Sequence, residues 1–120
     1  MITETINRKI FLENVQDDPV SAIIFVQNYV GVDFNGPVLY MFSKPIVTFA
    51  PGDTRELGFR DKMCELIGQV VSIVEEVPDE FFKITFQSGM TLTLPLDQES
   101  RVQVEAGTFR SDRGVTDIVW

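Results

Sequence analysis

Apolar residues fall in short runs separated by turn residues, and the runs follow two periods. Residues 20–27 (VSAIIFVQ) are rich in β-branched and aromatic side chains and read as a strand. After Gln27-Asn28, residues 29–34 (YVGVDF) alternate, with Val30, Val32 and Phe34 on one face. Asn35-Gly36-Pro37 predicts a hairpin turn, because Asn-Gly readily adopts positive φ. A third strand follows at 38–43, and Lys44-Pro45 separates it from a short one at 46–49. The period then changes. Phe59, Met63, Leu66 and Ile67 form one helical stripe within residues 54–67, with Asp53 or Thr54 as the expected N-cap and Gly68 as the stop. Gly58 within that segment moves the expected start toward Phe59. Strands resume at 69–77, 81–86 and 90–94, and shorter ones are expected at 102–105 and 114–120 around the loop 111–114. Residues 5–13 fit a short helix or a first strand equally well.

The chain says nearly the same thing twice. Residues 20–41 align with 71–94: Val20-Ser21 with Val71-Ser72, Tyr29-Val30 with Phe81-Phe82, Phe34 with Phe86, Gly36 with Gly89, Leu39 with Leu92. Each copy reads as a three-strand meander, and one such sheet cannot bury its apolar face alone. The expected fold is therefore α+β and mostly β. Two pseudo-repeated antiparallel meanders form a sandwich or partly closed barrel, with one central helix near residues 57–67, all in a single domain of residues 1–120.

The copies differ in their outward faces. In the second, Phe82, Ile84, Phe86, Leu92 and Leu94 point one way while Lys83, Thr85, Thr91 and Thr93 point the other, which predicts one wet face. The first is apolar on both faces. The central helix or a second copy of the chain is needed to cover it. Tyr29, Val38, Tyr40 and Phe42 are accordingly the candidate dimer or cavity face.

Charge narrows the partners. The net charge is −8. Residues 1–60 hold five cations and seven carboxylates, a balance of −2, whereas residues 61–120 hold five and eleven, a balance of −6. Such a surface repels polyanions, so no nucleic acid is expected. A single cysteine excludes an intrachain disulfide and suits a reducing compartment. The longest early apolar run, residues 22–26, is far short of the ~20 residues of a membrane span, and the N-terminal stretch lacks a leader's apolar segment. A cytoplasmic location without membrane attachment is the expectation.

Little of the sequence carries chemistry. Without histidine, Ser-His-Asp and Cys-His catalysis are impossible within the chain. Cys64 falls late in the expected helix, near Asp61 and Glu65, where a thiol is not activated, and reads as a semi-buried structural residue. Glu75 and Glu76 are adjacent on a strand and must face opposite ways, so they cannot chelate together. With Asp79 and Glu80 they form the candidate partner-binding group, or else a solvated edge. No phosphate-binding glycine loop and no calcium loop is present. No catalytic residue, metal ligand or cofactor is expected.

At VQNYVGVDFNGPVL, and at LIGQVVSIVEEV with FQSGMTLTL, the chain resembles a family of small bacterial proteins of unknown function. In these, two related hairpin units flank a short middle helix and the chain ends near a Trp. Some relatives of this size resemble immunity proteins of contact-toxin systems, which are small, acidic and cytoplasmic. The acidic second half and the absence of catalytic machinery point to a non-enzymatic interaction protein with a basic protein partner, and the resemblance adds an immunity-like inhibitor as its form. The alternative is a small-molecule-binding β-cavity lined by the first copy's aromatics. An enzyme using carboxylates and a divalent metal ranks third.

Overall fold

The computed structural model describes residues 5–111 and 115–120. Among these, nine strands form two antiparallel sheets, joined by two helices. The first sheet has the order β1 (Ala22–Val26), β2 (Tyr29–Asp33), β3 (Val38–Met41), β8 (Gly107–Arg110), β9 (Thr116–Val119). The second has the order β4 (Ile46–Thr48), β7 (Thr91–Pro95), β6 (Phe81–Phe86), β5 (Val71–Val77). Neither sheet closes on itself, so there is no barrel.

The connectivity interleaves the two sheets. After the β1-β2-β3 meander the chain crosses over, and β4 pairs with β7 of the other meander. After β5-β6-β7 it crosses back, and β8 pairs with β3. Inward residues of both sheets then share one core. Val32, Leu39 and Phe109 come from the first sheet, and Phe82, Ile84 and Leu92 from the second. The alternation expected over residues 81–94 places these apolar side chains in that core.

Residues 5–13, open between helix and strand, belong to a helix, α1 (Ile6–Val15). Thr5 caps it by accepting from the Arg8 N–H at 3.2 Å. Phe11 and Val15, one turn apart, are fully buried. The Phe11 ring meets Phe34 at 5.4 Å, Phe82 at 5.2 Å and Phe109 at 4.8 Å, so one side chain joins both sheets. The helix packs against β5 and β9, an edge strand of each sheet.

The second helix, α2 (Phe59–Cys64), packs against β1 and β4, the other two edges. It is shorter than residues 54–67. Neither Asp53 nor Thr54 caps it; Gly58 precedes it with extended backbone and no side-chain cap. Met63 and Leu66 reach the core, but Ile67 does not, because the chain leaves the helix at Glu65. Cys64 is exposed rather than semi-buried, since Met63 beside it takes the inward position.

The C-terminal strands also differ from expectation. Residues 102–105 form no strand, and Val102 and Val104 are exposed; the partner of β9 is residues 107–110 instead. Gly107 explains the choice. A Cβ there would lie 2.7 Å from the Tyr40 carbonyl oxygen and 2.9 Å from Leu94, so only glycine lets β8 approach both. The expected loop 111–114 falls largely outside the described residues. No helix among the described residues is long and apolar enough to cross a membrane.

Candidate functional site

The four carboxylates singled out in the sequence do not act as one group. Glu75 faces outward, opposite Lys83 of β6. Glu76 faces inward and is only 4% exposed. Its carboxylate accepts from Thr5 Oγ1 at 3.2 Å, Asn7 Nδ2 at 3.4 Å and Trp120 Nε1 at 3.4 Å. It therefore fastens the start of α1 and the Trp120 indole to β5, and its position at a helix N-terminus suits a negative charge. Asp79 holds the β5–β6 turn with φ of 64°, and Glu80 follows it; both are exposed. A docking patch on this side reduces to Glu75, Asp79 and Glu80.

The aromatic candidates do come together. Tyr29, Tyr40 and Phe42 are half-buried on the outward side of the first sheet. The Tyr29 ring meets Tyr40 at 5.8 Å and Phe42 at 5.4 Å, both edge-on. Tyr40 lies across Gly31, whose missing side chain leaves room for the ring: a Cβ there would stand 3.2 Å from it. Val38 shares this side at the far end of β3, between Asp33 and Arg110. Since α2 sits at the edges β1 and β4, it is not the cover for Tyr40.

A cleft opens where this aromatic corner meets α2. Its volume is ≈ 340 Å³, and it runs between the β1–β2 hairpin, the β3–β4 link and the first turn of α2. That volume sits at the lower end of the roughly 300–1,000 Å³ typical of small-molecule sites. Phe25, Val30, Met41, Phe42 and Phe59 supply apolar walls. Two cations border it. Lys44 Nζ stands 5.0 Å from the centre of the Phe59 ring, and the Arg60 guanidinium 5.6 Å from that of Phe25. No carboxylate is among the described lining residues.

Ser43 adds an unusual group to the wall. Its N–H donates to the Ala106 carbonyl at 3.0 Å, which ties the end of β3 to the chain entering β8. The side chain is fully buried, yet its Oγ has no hydrogen-bond partner among the described residues. A buried unpaired hydroxyl costs about 1–3 kcal/mol.

A second cleft of ≈ 300 Å³ shares Lys44, Pro45 and Phe59 with the first and adds Lys62. The loop ahead of α2 is tied to that helix's far end. The Arg55 guanidinium reaches Asp53 at 2.9 Å and Glu65 at 2.7 Å, while lying over Phe49 at 4.9 Å. Its hydrogen bonds hold the Asp53 carboxyl below the ordinary aspartate value, and the two carboxylates push the guanidinium's own pKa upward.

Sequence reasoning named Tyr29 and Phe42 of this cleft but missed Phe25, Ser43, Phe59 and Arg60 as members. Lys44 was legible as a strand break and as the cation nearest in sequence to those aromatics, and Arg60 only as a helix residue; nothing in sequence brings the two together. Among the described residues, no group of three or more Cys, Asp or Glu is placed to hold a metal ion. Comparison with protein families, curated proteins and solved structures gives no significant match. The geometry alone therefore carries the functional argument.

Proposed function

We propose that the protein is a non-enzymatic binding protein whose cleft beside α2 receives a small, largely apolar molecule. The observation that carries this reading is the concave apolar wall of Phe25, Val30, Met41 and Phe59. A thermal-shift screen of small apolar compounds tests it. Hits that bind only the folded state raise the melting temperature, and the Phe59→Ala variant should lose them. A screen without hits, or hits indifferent to Phe59→Ala, would overturn the reading.

A second reading has its own support. Asp79 and Glu80 stand exposed at the β5–β6 turn, where the Glu80 carbonyl accepts from the Leu96 N–H at 3.0 Å. Together with Glu75 these groups suit docking to a basic protein, as expected of an immunity-like inhibitor. Capture from host lysate that weakens as salt rises supports it, and salt-insensitive capture counts against it.

The architecture also supports the repeat. Each three-strand meander is followed by a strand that pairs with the third strand of the other meander, β4 with β7 and β8 with β3, and we read the whole as a sandwich of two related units. Residues 1–68 and 69–120, expressed together, should assemble, and neither alone should give a dispersed NMR spectrum. A half that folds alone would sink this.

A further inference from the structure

The cleft beside α2 differs from the rest of the molecule in charge, and the difference bears on what it binds. Eighteen of the 120 residues are Asp or Glu, against ten Lys or Arg. A random stretch of surface should thus present carboxylates more often than cations. The groove beside α1 mixes both signs: it is larger, ≈ 470 Å³, and Arg8 and Lys9 share its walls with Glu13 and Asp17. The cleft beside α2 instead has Lys44 and Arg60 and no acidic lining residue. Its neighbour across Phe59 repeats the pattern with Lys44 and Lys62. Among the described residues, neither Lys44 nor Arg60 enters an ion pair. Both are held by aromatic faces, Phe59 and Phe25, that orient a cation without neutralising it.

Extending the binding reading above, on which this inference rests, we infer that the ligand is a small amphipathic anion, a carboxylate carrying an aryl or alkyl body. The body fills the space between Phe25, Val30, Met41 and Phe59. The carboxylate accepts hydrogen bonds from Lys44 Nζ and the Arg60 guanidinium at the mouth. A neutral ligand would leave both cations to water and forgo the charge-assisted bonds. A cationic one would meet two like charges at the mouth and be repelled. The same charge pattern explains how an acidic protein can bind an anion at all: the attraction is local, and carboxylates beyond about one Debye length, ~8 Å at physiological salt, are largely screened.

The test uses isosteric probes that differ only in head-group charge: 4-phenylbutyrate and octanoate, each beside its amide and its amine. Binding to the intact chain is followed by calorimetry and by backbone amide shifts in NMR. The acids should bind and move the amides of Tyr29, Ser43 and Phe59. The amides of those acids should bind at least about tenfold more weakly, and the amines more weakly still. Lys44→Gln combined with Arg60→Gln should bring the acids down to the level of their amides without changing the melting temperature much. Equal binding of acid, amide and amine would overturn the charge inference while leaving the cleft reading standing. Shifts confined to other regions, or no binding by any probe, would overturn both.

Discussion

The two sheets carry opposite outer faces on the same scaffold. Outward from the four-stranded sheet, Lys83, Thr85, Thr91 and Thr93 stand over its central strands, with Ile46 and Ile73 exposed beside them on the edge strands. Outward from the five-stranded sheet stand Tyr29, Tyr40 and Phe42, which are half-buried only because they cover one another and Gly31. Both sheets bury their inner faces in the same core, so core formation does not require the aromatics. A feature that the scaffold does not need is where function is best sought. The cleft, its two cations and the unpaired Ser43 hydroxyl all lie at the aromatic sheet's corner.

The comparison can be broken most severely where the sheets meet. Gly107→Ala puts a Cβ against the Tyr40 backbone and Leu94, and backbone cannot step aside cheaply. A loss of about 3 kcal/mol in urea unfolding is expected; a loss below about 1 kcal/mol would mean that the sheets are not closely apposed there. Next in size is the Glu76 carboxylate, which joins α1, β5 and Trp120. Glu76→Ala leaves three donors without their acceptor and should cost about 2 kcal/mol. Glu76→Gln keeps an acceptor and should recover part of that. Equal losses in the two variants would show that charge, not hydrogen bonding, holds the junction.

Outward positions sharpen the contrast directly. Tyr40→Thr, which copies the second sheet's chemistry onto the first, should cost about 1 kcal/mol through lost ring packing on Tyr29 and Gly31. Thr93→Ala, on the wet face, should stay within about 0.5 kcal/mol of the parent. Similar values for both would erase the distinction. The same Tyr40 variant tests the proposal that a second copy covers the aromatic face. Light scattering at micromolar concentration should give a mass above 13.6 kDa for the parent and less for Tyr40→Thr; a clean monomer for the parent ends that proposal.

The smallest effect concerns Arg55, which is exposed. Arg55→Ala should lower the melting temperature less than Gly107→Ala, Glu76→Ala or Tyr40→Thr, and less again in high salt. Its pH dependence has a definite sign. Because Asp53 titrates lower in the folded protein than in the unfolded chain, its stabilisation is present at neutral pH. It fades as pH falls below the ordinary aspartate value of 3.8 toward the depressed one, so parent and variant should converge in acid. A difference that persists unchanged there would assign Arg55's role to its packing on Phe49.

Much of the strand layout could be read in advance because its signals are local. Alternation over residues 81–94 and the Asn35-Gly36 turn are properties of a few adjacent residues, and the strands and turn formed there. The acidic, histidine-free composition likewise limits the available chemistry from sequence alone. What sequence left open depended on distant partners. Residues 5–13 became helix because Phe11 and Val15 fit the gap between β5 and β9, a gap no local pattern describes. Residues 102–105, though they alternate, lost the strand to 107–110, since Gly107 alone admits the close approach to Tyr40 and Leu94. Glu76 could be assigned to the face opposite Glu75 but not to its three donors, which lie 44 to 71 residues away in the chain. The cleft is the extreme case: Phe25, Ser43 and Arg60 sit on three separate elements. Periodicity reports which side of an element is apolar, but only the packing of one element on another decides which charges and which unpaired groups end up facing the same space.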